Sequence, residues 1–170
     1  MNENIDFFPD SDYKIPETSN YMKFLEGDNT FRVLSSAIVG FEYFKEDNKP
    51  VRSRTVFDSI PDDIKKGGTV KHFWAFIVYN YEAKRIQILE LTQKGIMKTM
   101  QSYIKNPKWG NPREYDFIVT RTGSGMDTEY AITVNPKAPL EESVKEAFAK
   151  AKISLDALYE NEDPFKVDNE

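Results

Sequence analysis

A mainly β protein is predicted for this chain of 170 residues, built as a five-stranded Greek-key barrel with a helix between strands three and four, a C-terminal helix and an acidic tail. Three features predict it. Aromatic residues make up 14% of the chain, and such side chains suit a pleated surface. Residues 72–91 have the pattern of a β-hairpin. The apolar runs occur in the order strand, strand, strand, helix, strand, strand.

The first predicted strand is long and is followed by a long loop. Residues 31–44 are rich in Val, Ile, Phe and Tyr, and Gly40 is expected to mark a bulge or bend in this strand. The insertion at residues 45–70 carries a short predicted strand at residues 51–57. The basic residues of the insertion are Lys45, Lys49, Arg52, Arg54, Lys65 and Lys66.

The first strand of the central hairpin, residues 72–91, carries aromatic residues on both of its faces, because strand side chains alternate sides. The two sets are Phe73, Tyr79 and Tyr81 on one face and Trp74 and Phe76 on the other. A strand needs only one apolar face to join a core. One of the two sets is therefore expected to be external, and the alternation leaves open which one.

A helix and two further strands follow the hairpin. Thr92 or Gln93 is predicted to open the helix, which runs to about Lys105, with Thr92 as its N-cap. Trp109 then lies in a predicted loop. The remaining predicted elements are that loop at residues 106–112, strands at 115–120 and 128–134, and a helix at 140–151.

This order of elements is the order of an OB-fold, in which strands two and three, together with two loops, bind oligonucleotides. The hairpin would supply strands two and three. Residues 45–70 and 121–128 would supply the two loops, and Arg121 begins the second. The expected organisation is an N-terminal arm at residues 1–20, an OB-fold domain at 21–152 and an acidic tail at 153–170.

Charge is distributed unevenly along the chain, although the net charge is only −5. Residues 32–121 contain sixteen Lys and Arg against ten Asp and Glu, whereas residues 154–170 contain six acids and one base. A flexible acidic tail could compete weakly for a basic groove, or recruit replication or recombination proteins through Leu158 and Phe165. The tail is expected to contribute little to any core, and a tail that only aids solubility is the alternative.

Several classes of protein fit the sequence poorly. The chain has no cysteine, which excludes disulfides and thiolate metal sites and is consistent with a reducing compartment. No apolar run approaches a membrane span, and the acidic N-terminus does not have the design of a signal peptide. His72 is the only histidine and is expected to be partly buried in a strand. We therefore expect a cytoplasmic protein that is not an enzyme, with no metal, cofactor or membrane partner.

The predicted binding residues are aromatic side chains for stacking and basic side chains for phosphates. Stacking stabilises a single-stranded complex by about 1–3 kcal/mol per base, and arginine both binds phosphate and stacks. Trp109, in a loop with Lys105, Lys108 and Arg113, is favoured for stacking, although a ring that caps the barrel end is the alternative. The predicted set is Arg52, Arg54, Lys71, Trp74, Tyr79, Tyr81, Lys84, Arg85, Lys105, Trp109 and Arg121.

Four stretches carry a family resemblance. They are residues 19–34 (SNYMKFLEGDNTFRVL), 71–81 (KHFWAFIVYNY), 88–93 (ILELTQ) and 127–130 (DTEY). The first resembles the lysine, Gly-Asp-Asn turn and Arg-Val-Leu strand that enter the barrel of phage-type single-stranded DNA-binding proteins. The next two resemble the central hairpin of those proteins, and the last resembles the turn of their final hairpin. The resemblance covers roughly residues 19–140, with the acidic tail as a further match.

The resemblance implies an OB-fold that coats single-stranded DNA during phage or prophage replication or recombination, without sequence preference. Some relatives carry a zinc site built from Cys and His, and that part does not transfer because this chain lacks cysteine. Two other readings stay open. One is an OB-like protein-interaction module that acts as a replication or recombination accessory factor. The other is RNA binding, since architecture alone does not distinguish the sugars.

Overall fold

One antiparallel sheet dominates the computed structural model, which describes residues 20–166. The described part is mainly β, with two α-helices, α1 (Lys94–Lys105) and α2 (Glu142–Ala151), and short 3₁₀ helices. Nearly all of the predicted N-terminal arm and the last four residues of the predicted tail lie outside the described residues. The strands are β1 (Gly27–Val33), β2 (Ile38–Phe44), β3 (Pro50–Ser53), β4 (Lys71–Asn80), β5 (Arg85–Leu91), β6 (Asp116–Thr122) and β7 (Glu129–Val134).

β4 is the centre of the sheet because it pairs with three other strands. β5 lies along one edge of β4, with Trp74 opposite Leu91 and Asn80 opposite Arg85. β1 and β2 share the other edge, where β2 pairs with the beginning of β4 and β1 with its end. β6 and β7 continue the sheet beyond β1, and β3 continues it beyond β2. The predicted hairpin therefore organises the whole sheet.

The first predicted strand, residues 31–44, is divided into β1 and β2 by residues 34–37. At this interruption the backbone N–H of Ile77 donates to Ser35 Oγ over 2.9 Å, so a side chain replaces a missing main-chain partner. The two strands still follow the same edge of β4. The predicted strand is thus one segment that pairs with β4 on both sides of a bulge of a few residues.

The bend expected at Gly40 is wrong. Gly40 lies inside β2, where it pairs with Phe73. A Cβ atom on Gly40 would collide with the carbonyl oxygen of Ser53 and would press on the Phe73 ring. Glycine is required here because β3 and a buried ring approach the backbone closely, which is a packing reason and not a conformational one.

The boundaries of other elements also differ from prediction. β3 ends at Ser53, so Arg54 lies beyond the strand that was expected to present it. The N-cap of α1 is Gln93 and makes no side-chain capping bond, so the assignment of Thr92 as N-cap is wrong. α1 ends at Lys105 as predicted. The turn of the predicted hairpin lies at residues 81–84, and Lys84 there has a left-handed φ of 55°.

The inner face of the sheet and α1 form the main core. Ile96, Met97 and Met100 of α1 are buried against this face. Their partners include the fully buried rings of Phe31 and Phe117. Other core members from β4 and β5 are Phe76, Val78, Leu89 and Leu91. This layer buries the face of β4 that carries Phe76, from Phe76 to the end of the strand.

The outer face of β4 and β5 is covered by the C-terminal part of the chain. Val144 of α2 packs near Ile77, and Leu158 of the 3₁₀ helix Leu155–Glu160 packs against Phe73. Leu158 is only 2% exposed. The expectation of a tail that contributes little to any core is therefore wrong for residues 153–166, because apolar side chains spaced among the acids bury the outer face.

A closed five-stranded barrel is not confirmed, because within residues 20–166 β5 and β7 are not paired. Residues 20–24 lie between them. The backbone N–H of Met22 donates to the Ile88 carbonyl of β5 over 2.8 Å. The Phe24 ring lies 6.0 Å from the ring of Tyr130 in β7. In residues 20–166, neither helix has the length and apolarity needed to cross a membrane.

Candidate nucleic-acid interface

Both aromatic faces of β4 are covered along most of the strand. Phe73 is fully buried beneath the C-terminal segment, with the Tyr159 ring centroid 6.2 Å from its own. Phe76 is buried in the main core. The premise that one whole aromatic face is external is thus wrong, since the chain itself supplies the cover for both. What remains open is the inner face at the beginning of β4.

Four side chains form an open surface at that place, which we call the aromatic strip: Val39, Phe41, His72 and Trp74. Val39 lies opposite Trp74, and Phe41 lies opposite His72, so strand register puts all four on one face. The rings of Phe41 and His72 are 5.0 Å apart. Val39 is 49% exposed, His72 is exposed, and Phe41 and Trp74 are half-buried. His72 is therefore not the partly buried histidine that was expected.

A cavity of about 400 Å³ adjoins the strip at Trp74. Its walls are apolar side chains of β4 and α1, namely Trp74, Phe76, Met100 and Ile104. Its rim is polar and includes Arg113, which is exposed and donates from Nη2 to Ser36 Oγ over 3.2 Å. A flat or apolar group can enter this cavity while an attached anion contacts the guanidinium. We call it the strip cavity.

A second cavity, of about 630 Å³, lies on the outer face of the sheet at the end of β2. Its rim carries Lys65, Lys71 and the half-exposed Phe44. The Lys65 ammonium donates to Asn48 Oδ1 over 2.6 Å. The structure thus brings the predicted Lys71 together with a lysine from the predicted binding loop. We call this the basic cavity.

Two acidic side chains, Glu42 and Glu90, line the basic cavity, and a carboxylate there opposes anion binding. Glu42 and Glu90 both hold Arg52, which donates to Glu42 Oε2 over 3.2 Å and to Glu90 Oε2 over 3.0 Å. Burial, followed by the hydrogen bond and charge of Glu90, raises the pKa of Glu42 to about 8, and Arg52 opposes this only in part. The guanidinium of Arg52 is thus engaged within the protein.

Three other predicted arginines also have partners inside the chain. Arg54 lies 4.1 Å above the ring of Tyr159. Arg85 donates to Asn20 Oδ1 over 3.2 Å. Arg121 donates from Nη1 to the Phe24 carbonyl over 2.9 Å. Of the three, Arg54 is the exposed one, and all three help to attach the chain termini or the loop before β1 to the sheet.

The predicted tyrosines serve packing. The rings of Tyr79 and Tyr81 meet edge to face with centroids 5.0 Å apart. Tyr81 donates its hydroxyl to Asp116 Oδ1 over 2.9 Å, and burial together with this bond raises the pKa of Tyr81 to about 12. Asp116 in turn holds the buried Arg32 over 2.6 Å. These contacts fix the end of β4 to β6.

Trp109 packs against two neighbouring rings. Its centroid lies 6.0 Å from that of Tyr103 and 5.4 Å from that of Tyr115, and the side chain is half-buried. This geometry is that of a ring covering the end of the core, which was the alternative interpretation. Lys84 and Lys105 are exposed, at the hairpin turn and the end of α1.

Sequence reasoning missed Phe41 and His72 as residues of the candidate interface, and it considered Arg113 only as a neighbour of Trp109. Phe41 was treated only as part of a strand, and its face depends on the register between β2 and β4. Arg113 reaches the strip cavity through the loop that precedes β6. A signal was available for His72, because its parity is that of Trp74 and it precedes the buried part of the strand.

In the part of the chain that the structure describes, no group of three or more His, Cys, Asp or Glu side chains could hold a metal ion. Comparison of the chain with protein-family models, curated proteins and solved structures found no match. The aromatic strip and its cavity are therefore interpreted from their own geometry.

Proposed function

We propose that this protein binds single-stranded DNA through the aromatic strip, without sequence preference. The observation that carries the proposal is the open inner face at the start of β4, where Phe41, His72 and Trp74 lie side by side. Unpaired bases have exposed faces that stack on such rings whatever their identity. A duplex keeps its bases stacked on one another and cannot use the strip in this way.

An OB-type barrel is proposed as the scaffold. Pairing of β4 with β5, of β1 with β6 and of β6 with β7 supports it, because these contacts follow the element order of that fold. Residues 20–24 occupy the gap between β5 and β7 and would complete the wall. The resemblance to phage-type single-stranded DNA-binding proteins agrees with this scaffold, and a role in phage replication or recombination, in the cytoplasm, is proposed on that basis.

The acidic C-terminal segment is proposed to contact replication or recombination proteins through its charges. Leu158 and Phe165 are engaged with the sheet and with Tyr21, so they are not available as anchors for a partner. Glu160, Glu162 and Asp163 remain exposed. A partner on this segment would therefore meet an acidic surface.

A protein-interaction module is the second candidate function. Val39, an aliphatic side chain 49% exposed, belongs to the same strip, and a protein partner could bury it together with the rings. RNA binding uses the same stacking chemistry and remains a third outcome. The candidates differ in the ligand whose affinity should fall when the strip is substituted: single-stranded DNA, a protein partner or RNA.

Substitutions in the strip test the proposal. His72→Ala and Phe41→Ala should each weaken binding to oligo-dT by about 5- to 150-fold, the equivalent of about 1–3 kcal/mol per stacked base. Fluorescence anisotropy with labelled oligo-dT and oligo-U measures this and separates DNA from RNA preference. Circular dichroism checks that each variant is folded.

Tyr130→Ala is the matched control, because Tyr130 is a partly exposed ring at 38% that lies on β7, away from the strip. Its affinity for oligo-dT should stay within about twofold of the wild type. If folded His72→Ala and Phe41→Ala proteins bind as tightly as the control, the strip does not bind the strand and the proposal is wrong.

A further inference from the structure

The walls and the rim of the strip cavity come from different parts of the fold. Trp74 and Phe76 of β4 and Met100 of α1 form much of its apolar wall. The polar side chains lie on two connecting segments, residues 35–36 between β1 and β2 and residues 111–113 before β6. A molecule that is flat and apolar on its faces but polar along one edge fits a cavity of this kind.

The polar rim of the cavity offers hydrogen-bond donors. Asn111 Oδ1 accepts from the backbone N–H of Arg113 over 3.0 Å, so the amide NH₂ of Asn111 is the group that can donate to a ligand. Ser36 Oγ accepts from Arg113 Nη2 over 3.2 Å and keeps its own hydrogen for donation. Thymine presents carbonyl oxygens that accept such bonds, whereas adenine presents an amino group that donates. The rim therefore complements the edge of thymine better than that of adenine.

Arg113 is an exposed cation that forms no ion pair with any of residues 20–166. Arg52 and Arg54, by contrast, both pair with carboxylates. The bond to Ser36 uses only part of the donor set of Arg113, so the guanidinium retains donors for an anion. A phosphate attached to the sugar of a base in the cavity would meet this guanidinium at the rim.

The size of the cavity fits one base of a strand whose other bases lie on the strip. Its volume of about 400 Å³ is near the lower end of the range of about 300–1,000 Å³ for pockets that hold small organic molecules. Trp74 belongs to both the cavity and the strip, which continues from it to His72 and Phe41. A strand that stacks on the strip can therefore place its next base in the cavity.

We propose that the strip cavity takes up one nucleobase, with a face against Trp74, its polar edge at Asn111 and its phosphate at Arg113. The assignment of this base to a bound single strand rests on the proposed function, whereas the fit of the cavity to a base does not. The donors of the rim give a preference for thymine over adenine at this one position. Stacking on the strip stays independent of sequence.

Thymidine 5′-monophosphate tests the cavity without a strand. In a Trp109→Phe variant of the full chain Trp74 is the only tryptophan, and millimolar thymidine 5′-monophosphate should quench its emission. Deoxyribose 5-phosphate, which lacks the base, should leave the emission unchanged, and deoxyadenosine 5′-monophosphate should bind more weakly. Absence of quenching by the thymine nucleotide would overturn the proposal. Equal affinity for the two nucleotides would contradict the proposed contacts along the edge.

Ala37→Leu narrows the cavity, because Ala37 is exposed and lines it. This variant should bind thymidine 5′-monophosphate and oligo-dT more weakly by about fivefold or more, the equivalent of about 1 kcal/mol or more for one base. Ala83→Leu is the matched control, since it makes the same change at an exposed position in the hairpin turn at the far end of β4. Its affinity for both ligands should stay within about twofold of the wild type. Circular dichroism checks that both variants are folded.

The two ligands separate this inference from the proposed function. If oligo-dT binds to Ala37→Leu as tightly as to the control, the bound strand does not use the cavity and the inference is wrong. If nucleotide affinity falls in His72→Ala and not in Ala37→Leu, the base lies on the strip, so the inference is wrong while the proposed function stands. If oligo-dT does not bind but nucleotide affinity falls in Ala37→Leu, the proposed function fails while the cavity remains a site for a base.

Discussion

Trp74 connects the core to the aromatic strip. Its side chain packs against the main core and also lines the strip cavity. A substitution of Trp74 would therefore disturb stability and ligand contact together. His72 and Phe41 are better probes, because His72 is exposed and its ring partner is only half-buried. Base stacking at the strip can therefore be tested by substituting His72 and Phe41.

The buried charge cluster should give the protein a measurable pH dependence of stability. The pKa of Glu42 is raised to about 8 in the folded state from an ordinary value of 4.5. Between these values the folded state holds more protons than the unfolded state, so the free energy of unfolding falls as pH rises. Glu42 thus stabilises the fold fully below about pH 4.5 and loses that contribution as pH rises through about 8.

Glu42→Gln removes the titrating proton while it keeps the shape of the side chain. The melting temperature of the wild type should fall between about pH 5 and about pH 8.5, and the variant should fall less over the same range. Glu46→Gln, an exposed change in the loop after β2, should follow the wild type. Parallel curves for Glu42→Gln and the wild type would show that Glu42 does not titrate in this window.

At the scale of elements, the C-terminal segment is a structural part of the sheet. Leu158 is buried against Phe73, and Arg52 donates to the Leu158 carbonyl over 3.4 Å. Phe165 packs edge to face on Tyr21, with centroids 6.5 Å apart. Removal of residues 155–170 should therefore destabilise the fold, in contrast to the expectation for a free tail.

Leu158→Ala is a sharper test than truncation. It should lower the free energy of unfolding by about 2–5 kcal/mol, as other buried leucine truncations do. Urea denaturation measures this change. Leu25→Ala is the control, because Leu25 is 67% exposed and its truncation should cost little. A loss for Leu158→Ala no greater than that of the control would mean that the segment is not packed on the sheet in solution.

Local patterns predicted the hairpin and the ends of its strands, because alternation and turn residues are properties of neighbouring positions. The prediction that one aromatic face of β4 is external was wrong, because the cover comes from distant parts of the chain. Local patterns did not predict what covers the outer face, because Leu158, Tyr159 and Phe165 are dispersed among acids and read as a polar tail. The strip depends on the register of β2 against β4, which is set by contacts between distant residues.

At the scale of the whole molecule, much of the apparent basic character is neutralised internally. Arg32 pairs with Asp116, and Arg52 pairs with Glu42 and Glu90. The surface available to phosphates is therefore less positive than the count of bases in residues 32–121 suggests. Binding of a strand would consequently depend on stacking at the strip, with a smaller contribution from phosphate contacts such as Arg113.

The most direct test of strand binding is a titration of the full chain with oligo-dT and with a duplex of the same length. At about 50 mM salt the protein should bind oligo-dT at least tenfold more tightly than the duplex. Its affinity should fall as salt rises to about 200 mM, with a log–log slope of about −0.7 per phosphate contact. The absence of binding to oligo-dT at low salt, or equal affinity for the duplex, would contradict the account.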